Sequence, residues 1–180
     1  MKSDPSHLQA LRRDNDDLLP GNARPIGTVR VDASHTGQLH HSAVCWEGTE
    51  FRFPLIVDEP PSRGGDATGP APLSYFVLGA ATCLLTQLAK LSMLGELKID
   101  SLSITARGHF ERKMEGAFTD MIYDVKISGT EGDARVEKLC RDAERQCFAS
   151  NTLRKAVDMV TNVDYNGRRL VTLPSLPKAL

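Results

Sequence analysis

The chain has 180 residues, with 22 Lys and Arg against 23 Asp and Glu and a net charge of −1. That length allows one domain with a substantial core, and the balanced charge leaves no electrostatic footprint for nucleic acid or an anionic membrane. No apolar signal-peptide core follows Met1-Lys2-Ser3-Asp4-Pro5, so the four cysteines are expected as reduced thiols in a cytoplasmic protein rather than a disulfide framework.

Residues 1–25 are polar and broken by Pro5, Pro20, Gly21 and Pro25. Leu8, Leu11, Leu18 and Leu19 could form a short amphipathic helix that Asp14-Asn15-Asp16-Asp17 weakens, so the stretch reads as an N-terminal tail, able to pack on a partner subunit. From Ile26 the hydrophobic period becomes two. Thr28–Ala33, Leu39–Trp46 and Phe51–Val57 read as three strands, with turns at Gly37 and Glu47-Gly48-Thr49-Glu50. Connections this short make the strands antiparallel.

Asp58 to Pro72 is rich in Pro and Gly and reads as a loop. Its Gly64-to-Gly69 spacing imitates a phosphate loop, but Pro70 stands where that loop needs Lys. Pro72 suits the first turn of a helix. Pro72–Leu94 is apolar nearly all round, yet Ser74, Thr82, Thr86, Gln87, Lys90 and Ser92 favour a buried core helix over a bilayer span. Gly95 is expected to close it. Ser101–Phe110 and Met121–Ser128 alternate as strands, and Asp133–Cys147 carries Val136, Leu139, Cys140, Ala143 and Cys147 at helical spacing. Ser150 or Asn151 could cap a further helix through Val160, a final strand ends near Asn166-Gly167, and residues 171–180 read as a C-terminal tail. The folded domain is therefore expected over 26–170. One three-stranded face cannot cover so apolar a helix, and Gly79, Ala80, Ala81 and Cys83 give it a flat side, so a homodimer sharing two such helices is expected.

Two cysteines carry the chemistry. Cys83 lies inside Leu73–Leu85, and Cys147 ends the amphipathic helix. A helix-borne thiol with a second thiol within folding reach can cycle through sulfenic acid and disulfide; without such a partner it is a small hydrophobe. Cys140 falls at a core position, and Cys45 beside Trp46 suits a core or pocket. His35, His40 and His41 lack metal-ligand spacing and no close Cys pair occurs, so neither a metal nor a cofactor is expected.

Val57-Asp58-Glu59-Pro60, Gly64-Gly65, Gly69-Pro70-Ala71-Pro72 and Leu78-Gly79-Ala80-Ala81-Thr82-Cys83 resemble the OsmC and organic-hydroperoxide-resistance superfamily, as does Cys147-Phe148-Ala149-Ser150-Asn151-Thr152-Leu153. The resemblance spans about residues 26–168. It implies an α+β fold: an intertwined homodimer with antiparallel sheets packed around two long buried central helices. It also implies reduction of organic hydroperoxides, with Cys83 as peroxidatic nucleophile, Cys147 as resolving cysteine, and electrons from a dithiol such as a lipoyl-protein. The family's peroxidases carry a glutamate ten residues before the nucleophile and an arginine in the first hairpin loop. Here those places hold Leu73, followed by Ser74, and the arginine-free loop 33–41. His40 can stand in as the thiolate's cation, with His41 and His35 as alternatives, and Arg52 could point to the site or to solvent. Leu73, Tyr75 and Phe76 could line an apolar substrate pocket or simply pack in the core. The departures support an alternative: a small-molecule or lipid-binding, or redox-sensing, protein of the same fold with little peroxidase activity.

Overall fold

The structure, a computed structural model, describes residues 4–19, 21–22, 27–156 and 158–173. Of the expected tails, residues 1–3, 20, 23–25 and 174–180 lie outside the described residues, as does Ile26 at the expected domain start. The chain divides into two compact units, Asp17–Phe76 and Met1–Asp16 with Val77–Leu180.

The smaller unit is an antiparallel sheet in the order β1 (Arg30–Gly37), β2 (His40–Glu47), β3 (Phe51–Val57). Its register aligns Val31, Cys45 and Phe53 across the three strands, and Arg30, Trp46 and Arg52 one residue away. Because successive side chains alternate faces, these are opposite sides of the sheet. Both guanidiniums stack on Trp46, at 5.0 and 5.3 Å from the ring centroid. The contact puts the Arg52 side chain on the Trp46 face of this sheet.

After β3 the chain enters a loop built around buried Asp58. One carboxylate oxygen accepts from Thr68 N–H (3.0 Å), Thr68 Oγ1 (2.9 Å) and Asp66 N–H (3.2 Å). These bonds hold the Asp58 carboxyl below its ordinary pKa against the opposing effect of desolvation, with the His40 charge helping. Gly65 is required here, since a Cβ on it would collide with the Glu59 carbonyl and lie 2.6 Å from Asp58 Oδ1.

The larger unit has a four-stranded sheet, β4 (Ile99–Phe110), β5 (Phe118–Gly129), β6 (Asp158–Tyr165) and β7 (Arg168–Leu173), in that spatial order. β5 and β6 pair in parallel, joined through α3 (Asp133–Gln146) and α4 (Phe148–Leu153). The expected all-antiparallel arrangement is thus corrected: a helical crossover returns the chain to the same end of the sheet, which parallel pairing requires. Met121, Tyr123, Val125 and Ile127 of β5 and Met159, Val163 and Tyr165 of β6 face one core with Val136, Leu139, Cys140 and Ala143 of α3. Burying each large side chain contributes about 1.5–3 kcal/mol.

The long helix α2 (Pro72–Leu94) begins at Pro72 as expected. It is long and apolar enough to cross a bilayer by composition, and here it contributes Ala80, Ala81, Leu84 and Leu88 to the core cluster. The left-handed residue after it is Glu96, at φ 50°, rather than Gly95.

Three further expectations need correction. The segment expected as an N-terminal tail contains helix α1 (Pro5–Asp16), whose exposed Asp14 accepts from the buried Lys90 ammonium at 3.1 Å. The helix expected through Val160 stops at Leu153, and Asp158–Tyr165 is a strand burying alternate residues against the core. The C-terminal tail is expected from residue 171, but β7 runs to Leu173, whose side chain is buried; pairing with β6 satisfies backbone groups that a coil would leave to water.

Candidate active site

Both candidate redox residues lie in the larger unit, and the fold brings them together. Cys83 projects from α2, half-buried, while Cys147 is fully buried at the junction of α3 and α4. The Cys83 thiol lies close enough to Cys147 to act on its ionisation, and neither is in a disulfide. Cys147 is also the residue that caps α4. Its sulfur accepts from Ser150 N–H at 3.4 Å, a role that a side-chain acceptor plays at a helix start.

Burial pushes the Cys147 thiol above its ordinary pKa and the neighbouring Cys83 adds to the rise, while the Ser150 hydrogen bonds pull partly back. Cys147 is therefore a protonated thiol near neutral pH. Cys140, deeper in the same core, is pushed up to about 12, chiefly by burial. It faces the core as expected and is chemically quiet. Cys45, half-buried on β2, belongs to the smaller unit.

Beside the thiol pair lie two polar groups, one of which, Tyr123, sequence reasoning did not single out. Tyr123 and Ser150 are both 0 % exposed. Their hydroxyls lie close to each other, and Tyr123 feels the charges of Cys147, Cys83 and Arg154. Neither hydroxyl completes an aligned hydrogen bond, and a buried polar group left so costs about 1–3 kcal/mol. Burial, reinforced by the two cysteines, raises the Tyr123 pKa and keeps it a neutral donor.

Buried Arg154, whose charge acts on Tyr123, forms an ion pair with buried Glu144, and Thr161 Oγ1 donates to the same carboxylate. Arg154 also donates to Asn151 Oδ1 at 3.1 Å. The Cys147-to-Ser150 capping spacing was a readable signal. Tyr123 gave none, since on an alternating strand it is indistinguishable from a core aromatic.

The remaining predicted residues fall in the smaller unit. His40 Nδ1 is hydrogen-bonded to Thr36 Oγ1, and the His35 and His41 rings sit 5.4 Å apart across the β1–β2 pair. Tyr75 donates its hydroxyl to the Ile56 carbonyl at 2.6 Å, fastening the first turn of α2 to β3. Leu73 and Phe76 are exposed. Among the described residues no three His, Cys, Asp or Glu side chains gather as metal ligands.

The model of the OsmC-like protein family matches residues 64–162, more than half of the chain. The chain belongs to the OsmC-like protein family. That match takes in Cys83, Tyr123, Cys147, Ser150 and Arg154 and leaves His40 outside. Solved OsmC-like structures superpose on most of the chain. An OsmC-like protein from Mycoplasma pneumoniae aligns at a TM-score of 0.67 and 17% identity, over 78% of this chain and 99% of its own. An organic hydroperoxide resistance protein OsmC from Legionella pneumophila aligns at 0.61 and 21%, over 78% and 99%. One from Elizabethkingia anophelis gives 0.63 and 20%, over 79% and 99%. At these identities the likeness is one of fold. Among curated proteins no sequence matches significantly.

Proposed function

We propose that this OsmC-like protein reduces organic hydroperoxides through a two-cysteine cycle. The observation that supports it is the meeting of the unbridged Cys83 and Cys147 thiols at the edge of one core. Cys83 gives up its proton and the thiolate attacks the hydroperoxide O–O bond, becoming sulfenic acid, while the departing alkoxide takes up that proton equivalent and leaves as the alcohol. Cys147 sulfur then attacks Cys83 sulfur, forming the disulfide and releasing water. An external dithiol, for which a lipoyl group has the right chemistry, returns both thiols by exchange and leaves as its own disulfide. Cys83 is the half-exposed partner that substrate can reach, and Cys147 holds its proton until the second step.

The working form in this reading is a cytoplasmic homodimer. Leu78 is 53 % exposed on α2, and a Cβ at Gly79 would meet nothing within 4 Å. A second copy of the helix would cover that strip.

Hydroperoxide consumption with dihydrolipoamide, comparing wild type and Cys83→Ser, tests the cycle. Turnover by wild type and none by the variant is expected; equal rates would remove it. A second reading, an OsmC-fold binding or redox-sensing protein with little turnover, draws support from Leu73 and Ser74 at the acidic position and a first hairpin loop without arginine. Native mass spectrometry retaining an acyl-type ligand, together with no peroxide-dependent Cys83–Cys147 disulfide, would favour it.

A further inference from the structure

We propose that the Tyr123 and Ser150 hydroxyls form a binding site for the single oxygen that Cys83 carries between the two steps, and thereby set the rate of disulfide formation. The idea rests on the two-cysteine reading above. Two fully buried hydroxyls lie beside two thiols, and neither has an aligned partner in the resting protein. A phenylalanine and an alanine would fill the same places without leaving polar atoms unsatisfied. In the resting state neither hydroxyl completes an aligned bond to the acceptors beside it, and oxidation of Cys83 brings a further one, the sulfenic oxygen.

The geometry assigns each group a part. The Arg154 guanidinium, held by Glu144, lies close enough to polarise the Tyr123 O–H toward donation. Ser150 offers its backbone N–H to Cys147 sulfur, and its hydroxyl is a neighbour of both that sulfur and Tyr123. In the resolving step the Cys147–Cys83 S–S bond forms and the Cys83 S–O bond breaks. The Cys147 proton passes to the departing oxygen, which leaves as water, so no further oxidant or reductant is needed. Donation from Tyr123 and Ser150 stabilises that oxygen as negative charge builds on it. Neither hydroxyl is needed for the first attack.

The full-length reduced protein is pulsed with cumene hydroperoxide and quenched over time with dimedone. Mass spectrometry then follows the Cys83 sulfenic adduct and the Cys83–Cys147 disulfide. Tyr123→Phe and Ser150→Ala should accumulate the Cys83 sulfenic adduct and form the disulfide about tenfold more slowly than wild type, the share of one hydrogen bond to developing charge. Their thermal midpoints should be no lower than wild type. Disulfide formation at the wild-type rate in both variants overturns the inference and leaves the cycle standing. So does equal slowing of both steps with a lowered midpoint, which marks the hydroxyls as structural. A wild type that forms neither adduct nor disulfide removes the cycle and the inference together.

Discussion

Cys83 on the long helix and Cys147 at the start of α4 meet as free thiols in one core, although each belongs to a different segment of the fold. Mild oxidation with diamide should join this pair before any other. Non-reducing peptide maps should show Cys83–Cys147 and leave Cys140 alkylatable after unfolding. In Cys147→Ser, excess hydroperoxide should drive Cys83 on to sulfinic acid, because nothing captures the sulfenic intermediate. A map dominated by Cys45 or Cys140 pairs would contradict the assignment.

Alkaline pH should weaken the fold. The Cys140 thiol is pushed up to about 12 in the folded state from a reference of 9.0, so unfolding releases a proton above that reference. Stability is therefore fully present below about pH 9 and falls between there and 12, by about 1.4 kcal/mol per pH unit for this thiol. Cys147 and Tyr123 shift in the same direction. Thermal melts from pH 8 to 10.5 should show the decline, and Cys140→Ala should flatten it even if the overall midpoint drops. A flat wild-type profile would refute this.

Acid should release the Asp58 loop. The folded carboxyl titrates below its reference of 3.8 because Thr68 and Asp66 donate to its anion. Its contribution is thus complete above about pH 4 and lost as pH falls through the folded value. Hydrogen exchange at the Asp66 and Thr68 amides should be slow at pH 5 and faster, relative to the intrinsic rate, at pH 3. Asp58→Ala should already show the fast behaviour at pH 5. Unchanged protection in that variant would mean that the carboxylate does not organise the loop.

The Arg154–Glu144 pair should be far more costly to break than to replace. Arg154→Met strands a buried carboxylate and should lose about 3–5 kcal/mol in urea unfolding. Adding Glu144→Gln removes the stranded charge, keeps an acceptor for Thr161, and should restore most of that loss. A double variant no better than the single would show that the ion pair itself, rather than the orphaned charge, carries the energy.

Much of this architecture was legible because its signals are local. Alternation in Leu39–Trp46, Phe51–Val57 and Met121–Ser128 marked strands that the structure contains. Pro72 opened the long helix where Pro fits best. The segment after Leu153 failed for a competing local reason. Possible caps at Ser150 and Asn151 invited a longer helix, while the period-two burial of Met159, Thr161, Val163 and Tyr165 becomes visible only once β6 has β5 to lie against. Tyr123 shows the same limit at the site, since its alternation with Met121 and Val125 announces burial and says nothing of the thiols beside it.

The order of residues alone determined which side chains could do chemistry: two cysteines in helical settings, with neither a metal-ligand spacing nor a phosphate loop. It also determined the elements that carry them, because helix and strand periods are written over a few residues. Folding in three dimensions decided that β6 runs parallel to β5, that Cys147 caps α4 beside Cys83, and that Tyr123 and Ser150 lie near them, with Arg154 close to Tyr123 and paired with Glu144. Those relationships join segments distant along the chain, and they are set by how the sheet and helices exclude water from one shared core rather than by any pattern within a single segment.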